Sequence, residues 1–241
     1  MKLFKYILTG FILIIFGNIS AQNFMDQNQP MVDFKRLHFG YLVGLNSQDL
    51  HFSHTGIDQN GNKIYSEIPS YSPGFTVGLV GDLALTQYFN LRTVPSLHFG
   101  SKDIVYNNQT GVNIGKETIK SNYLMVPLEL KYSSLRLNNS RPYLIFGGAA
   151  AYDLASKKDP EDLIRLKKLN YFLEIGVGCD LYFEYFKLNP ELKICIGLNN
   201  VLDKDRPELF DDKGNALPNL QYTNALSKVT SNMIVLSFFF E

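Results

Sequence analysis

The chain has 241 residues, 45% of them hydrophobic, and its 23 basic and 23 acidic residues cancel to a formal net charge of zero. That balance leaves no basic footprint for nucleic acid, and no apolar run after the N-terminus approaches the roughly 20 residues a membrane-spanning helix needs. Fourteen Tyr and 18 Phe with no Trp suit strands whose aromatic rings lie at a bilayer interface, and would suit a soluble β-sandwich equally well.

Lys2 and Lys5 precede an apolar run from Tyr6 to Phe16, followed by small and polar residues ending in Ser20-Ala21. This is the layout of a secretory signal peptide over 1–21, with cleavage between Ala21 and Gln22. The apolar run, about 11 residues, is too short for a retained anchor. No Cys follows the cleavage point, so no lipid anchor is expected there. Loss of the two lysines leaves 21 basic residues against 23 acidic, a net charge of −2. Residues 22–34 read as a short periplasmic N-terminal segment and 35–241 as one all-β domain, with no linker composition dividing it.

Period-two alternation predicts strands near Leu37 to Leu45, Gly74 to Leu85, Phe89 to Phe99, Tyr123 to Tyr132, Pro142 to Leu154, Asn170 to Phe183, Phe186 to Leu198, and Val229 to Phe240. Eight is the even number that brings both termini of a single-chain bacterial barrel to one side. Connection lengths alternate too. Long loops are expected over Asn46–Pro73, Gly100–Asn122, Ala155–Leu169 and Asn199–Lys228; Thr86–Tyr88, Ser133–Arg141 and Glu184-Tyr185 read as short turns. The expectation is an eight-stranded antiparallel transmembrane β-barrel in the outer membrane, with long outer loops, short periplasmic turns and both termini periplasmic.

Aromatic residues gather beside the short turns: Tyr88 and Phe89, Tyr132 and Tyr143, Tyr182 to Phe186, and Phe238 to Phe240. They would form one interfacial girdle. Side chains on a strand alternate between lipid and lumen. Tyr171, Leu173, Ile175, Val177, Cys179, Leu181 and Phe183 then face lipid, as do Leu188, Leu192, Ile194, Ile196 and Leu198. The opposite rows place Arg92, Glu129, Lys131, Glu174, Asp180, Glu191 and Lys193 inside a narrow cylinder, where unpaired charge is costly and mutual pairing is expected. An eight-stranded interior is just wide enough for side chains, so a filled polar lumen is expected and a solute pore is not. Pro95, Pro127 and Pro190 fall inside predicted strands and call for bulges or breaks. Gly147 to Ala151 shows no clear alternation, and its small residues could make room for bulky neighbours.

Signals for chemistry are sparse. Cys179 and Cys195 lie on a tight hairpin but on opposite faces, which favours two free, buried thiols over a disulfide. His51 and His54, with Ser47, Asp49 and Asp58, are the only cluster resembling a metal or hydrolase site; an exposed polar loop explains them as well. His38 and His98 have lumen parity. Phosphate-cradling glycine loops, paired-cysteine metal sites and nucleophile elbows are missing, so no catalytic residue, metal, cofactor or small-molecule substrate is expected. Asn60-Gly61 and Lys213-Gly214-Asn215 signal turns in the outer loops. Asp159-Pro160-Glu161-Asp162, followed by Leu163, Ile164 and Leu166 and by Lys167-Lys168, reads as a short capped helix.

The strings KRLHFGYLVGLN, SPGFTVGLV, YFNLRTVPSLHFG, VPLELKYSSLRLNNSRPYLIFGG, EIGVGCDLYFEYFKLNPELK and SNMIVLSFFFE, in that order, resemble the PorT (SprT) family of outer-membrane β-barrels of the Bacteroidetes. The likeness runs from Lys35 to Glu241, and the central string is its most specific part. The resemblance implies a non-enzymatic role in type IX protein secretion and, in gliding species, surface motility, through contacts with other secretion components. It carries no catalytic motif that transfers residue by residue. A generic structural or adhesive small barrel is the alternative.

Overall fold

The computed structural model describes residues 27–54, 64–67, 73–108, 113–155, 164–204 and 226–241. The signal segment and its cleavage point, both turn signals in the outer loops, and Asp58 lie outside them. A 3-10 turn over Val32–Phe34 leads into ten described strands. These are β1 (Leu37–His54), β2 (Ile64–Glu67), β3 (Pro73–Ala84), β4 (Phe89–Thr93), β5 (Ser96–Asn108), β6 (Asn113–Ser133), β7 (Ser140–Asp153), β8 (Leu169–Tyr182), β9 (Lys187–Gly197) and β10 (Leu226–Phe240).

All pairings are antiparallel. β1 pairs with β10 (Tyr41 opposite Phe240) and with β3 (Tyr41 opposite Leu79), so the sheet closes on itself. β4 and β5 make a single stave, because each pairs with β3 on one side and β6 on the other. β2 pairs with the far end of β5, with Ile64 opposite Asn108. The described ring therefore has eight staves, as the alternation predicts.

The first described residues, the C-terminus and the connections 85–88, 134–139 and 183–186 gather at one end, the turn end; the opposite ends of the staves form the loop end. One long loop needs correction. Most of Gly100–Asn122 is not loop but hairpin, since β5 continues to Asn108 and β6 starts at Asn113. β1 likewise continues nine residues beyond Leu45.

The reason is an inversion of polarity along the staves. Near the turn end of β1, Leu37, Phe39, Tyr41, Val43 and Leu45 are exposed on the outside, a greasy row about 26 Å long at the strand rise. Beyond Asn46 the inside turns apolar with Leu50, while His51 is exposed outside. β10 changes over in the same way: Ile234, Leu236 and Phe238 are exposed on the outside, whereas the loop-end Val229 and Leu226 are buried inside and Lys228 is exposed. Alternation holds up to a bulge at Ser53/His54, but beyond the band apolar side chains also take the inward parity, and a single-parity reading stops there.

The prolines break the ladder without shifting it. Val94-Pro95 is the gap between β4 and β5, and Pro127 lies opposite that gap. Its missing N–H therefore leaves no partner wanting. Thr93 Oγ1 donates to Pro127 O at 2.8 Å, and Leu79 N donates to Pro95 O at 3.0 Å. At Pro190 the β8–β9 pairing lapses for Cys179 and Asp180, then resumes in the same register. Gly147 and Gly178 are required by close approach. A Cβ on Gly147 would lie 2.4 Å from Leu128 O, and one on Gly178 2.4 Å from Tyr143 Oη.

Candidate functional site

The interior is filled in layers, and the layers are not all polar. At the loop end Leu50, Ile104, Ile164, Leu166, Val201, Leu202, Leu226 and Val229 form an apolar plug. Here Ile164 to Lys168 do not extend a helix: Leu166 bridges to Leu202, and Arg165 pairs with Asp203 at 2.9 Å. Extended backbone sends Ile164 and Leu166 to the same side, into the plug. Asp159 to Leu163 lie outside the described residues. A second apolar layer follows, with Tyr123, Met125, Ala149, Ala151, Phe172, Cys195, Met233 and Val235. Ala149 and Ala151 point inward and yield space to Phe172 and Tyr123. The expected filled polar lumen is thus corrected to one that holds apolar layers beside its charged one, because apolar side chains fill a narrow bore without needing partners.

Charge is concentrated nearer the turn end. Arg92, Glu129, Lys131, Glu174, Asp180, Glu191 and Lys193 are all buried in the lumen. Arg92 binds Glu129 Oε2 through Nε at 2.8 Å and Glu191 Oε2 through Nη2 at 2.5 Å. Lys193 pairs with Glu129 and stands 3.7 Å from both Glu174 and Glu191. Lys131 holds Asp180 at 2.8 Å and lies 3.9 Å from Asp82. Further members lie outside the sequence-derived set. Tyr143 Oη donates to Glu191 at 3.0 Å, Asn90 donates to Asp82 at 2.5 Å, and Lys187 pairs with Glu241. Parity already puts Lys187 on the inward row of its strand, and the same alternation carries Asp82, Asn90 and Glu241 inward, Glu241 following Phe239.

Aromatic residues divide by parity. Tyr88, Phe89, Tyr132, Phe183, Phe186 and Phe238 face outward, with Phe89 against Tyr132 at 5.1 Å and Phe183 against Phe186 at 5.0 Å. Tyr143, Tyr182 and Phe239 instead are buried inside. Each of these rings carries a cation: Arg92 lies 4.6 Å above Phe239, Lys131 4.1 Å above Tyr143, and Arg136 3.7 Å above Tyr182. Both cysteines are free; Cys195 is buried with its thiol 3.4 Å from Glu174, and Cys179 is only half-buried on the outer face. His98 is bonded between Thr76 and Ser96, and His38 meets Val32 O at 3.0 Å. His51 is exposed, and among the described residues no group of three or more His, Cys, Asp or Glu could hold a metal.

Sequence reasoning missed the turn-end mouth altogether. Residues Asn28 to Asp33 fold across it and are fastened to two turns. Asp33 accepts from Tyr182 Oη at 2.7 Å and from Arg136 at 3.1 Å, with Arg141 at 3.8 Å. Asn28 N donates to Asn139 Oδ1 at 2.9 Å, Asn28 Nδ2 to Tyr182 O at 3.0 Å, and Gln29 Nε2 to Phe183 O at 2.9 Å. Beside this strap opens a pocket of about 120 Å³, lined by Asp33, Lys131, Arg136, Arg141, Asp180 and Lys187 among others.

Several solved structures are similar to the chain. Outer membrane protein OprG of Pseudomonas aeruginosa is 14% identical, with a TM-score of 0.43 and coverage of 85% of this chain and 93% of that one. AlkL, determined in lipid bilayers, is 12% identical with a TM-score of 0.43, covering 90% and 95%. Neisserial surface protein A is 9% identical with a TM-score of 0.38, covering 85% and 98%. No curated protein matches the sequence. Residues 20–203, well over half of the chain, match the outer membrane protein beta-barrel domain family. The exposed apolar band is accordingly its contact with outer-membrane lipid, and the chain belongs to the outer membrane protein beta-barrel domain family.

Proposed function

We propose that this barrel is a non-enzymatic component of type IX protein secretion, acting through protein contacts at its turn end, with that end and both termini in the periplasm. The observation that carries the reading is the run of strings from Lys35 to Glu241 that resembles the PorT (SprT) family. Its most specific string, VPLELKYSSLRLNNSRPYLIFGG, spans β6, the 134–139 turn and β7. It therefore supplies Arg136 and Arg141 of the mouth. A filled lumen favours an accessory over a conduit, because no bore is left for a polypeptide. The lumen acids and bases bind one another in burial, which favours a structural role for them over a catalytic one.

A generic structural barrel is the second reading, favoured by a family match that specifies a barrel domain and nothing finer. Deletion separates the two. Loss of secreted cargo carrying C-terminal sorting domains, with other export intact, is the expected result; cargo secretion that continues unchanged overturns the secretion reading and leaves the structural one.

A further inference from the structure

We propose that Arg136, Arg141 and Tyr182 form a carboxylate-receiving socket for an acidic, extended segment of a partner protein, and that Asp33 occupies this socket in cis. Asp33 shows the chemistry: one carboxylate accepts from a phenol at 2.7 Å and a guanidinium at 3.1 Å, with a second guanidinium at 3.8 Å. Paired guanidiniums with a phenolic donor suit a carboxylate, whose oxygens accept in a plane.

Arg136 also donates to Asn28 O of the strap, but both guanidiniums have further contacts outside it. Arg136 stacks 3.7 Å from the Tyr182 ring centroid and donates to Asn138 O at 2.8 Å and to Asn139 Oδ1 at 3.1 Å. Arg141 donates to Ser134 O at 2.9 Å and also to Gln87 O. Withdrawing Asp33 thus leaves two aimed cations and not a collapsed surface. The strap, in contrast, is fastened by hydrogen bonds and ion pairs. Its fastenings are polar, Met31 is 74% exposed, and Gln29 sits at φ 50°, in the left-handed region that a residue with a side chain adopts at a cost. An incoming acidic segment replaces one carboxylate by another and releases that strained residue.

The biological setting rests on the reading that the turn end faces the periplasm, but the binding itself is measured on purified protein and can fail independently of any secretion phenotype. The probe is a fluorescent synthetic peptide of residues 27–35, added to the full chain in detergent micelles. Asp33→Asn is expected to bind this peptide at least tenfold more tightly than the unaltered chain, and adding Arg136→Met is expected to abolish the gain. Gln29→Ala, which removes the strap's bond to Phe183 O and leaves Arg136, Arg141 and Tyr182 untouched, should raise binding by a smaller factor. Retained barrel migration on unheated gels checks folding for each variant. Equal binding by Asp33→Asn and the unaltered chain overturns the proposal. So does equal binding of a peptide with Asn in place of Asp, or displacement of the peptide by inorganic phosphate at the same concentration.

Discussion

Arg92 is the residue on which the buried network turns. It is fully enclosed, touches Glu129 and Glu191, and lies over Phe239. Removing one member of a buried ionic group leaves the others desolvated and uncompensated, which costs about 3–5 kcal/mol. Arg92→Met is therefore expected to lower the barrel's stability by about that much, read from urea unfolding in lipid vesicles. A change under about 1 kcal/mol would mean that Lys193 and Tyr143 suffice to hold Glu129 and Glu191. Strand parity made this part of the interior legible: Arg92, Glu129, Glu174, Glu191 and Lys193 fall on inward rows and meet there. Asp33 and Arg136 were not legible, because a segment before the first strand and a residue in a turn belong to no alternating row. Nothing local in their sequence says that they meet across 103 positions.

At the scale of the stave, position along the strand decides what a side chain costs. Leu79 is 67% exposed on the outer face and lies opposite Tyr41, the middle of the greasy row on β1. A cation at the bilayer midplane costs about 2–4 kcal/mol, falling to about 0–1 kcal/mol near the interface. Leu79→Arg should destabilise by the larger amount and His51→Arg by the smaller, in the same vesicle assay. Similar costs at both sites would contradict the changeover of polarity beyond Asn46. Strand number and the order of turns were legible because each stave crosses the apolar band with one parity. The far halves of β1, β5 and β6 were not, because Leu50 and Ile104 sit on the parity that carries polar residues lower down. Gly147 to Ala151 could not be read either, since small side chains carry little polarity to alternate; the inward bulk belongs to Phe172, Tyr123 and Glu129 across the sheet.

For the whole molecule, the consequence of layered filling is a closed path. The plug of Leu50, Ile104, Leu202 and Val229 bars the loop end, the ionic layer fills the middle reach, and the strap of Asn28 to Asp33 lies over the opposite mouth. Purified protein in planar bilayers is expected to show no large, steady single-channel current; such currents would refute a filled interior. Above the lipid, the described strands are not of equal height. β10, β1, β5 and β6 run on past the band while β7, β8 and β9 stop near it. A cylinder with a parapet on one flank has a compass bearing in the plane of the membrane. Among the described strands only the β10, β1, β5 and β6 flank carries wall beyond the band, so a neighbour drifting in from that side meets strand edges and hydrated side chains that β7, β8 and β9 do not present.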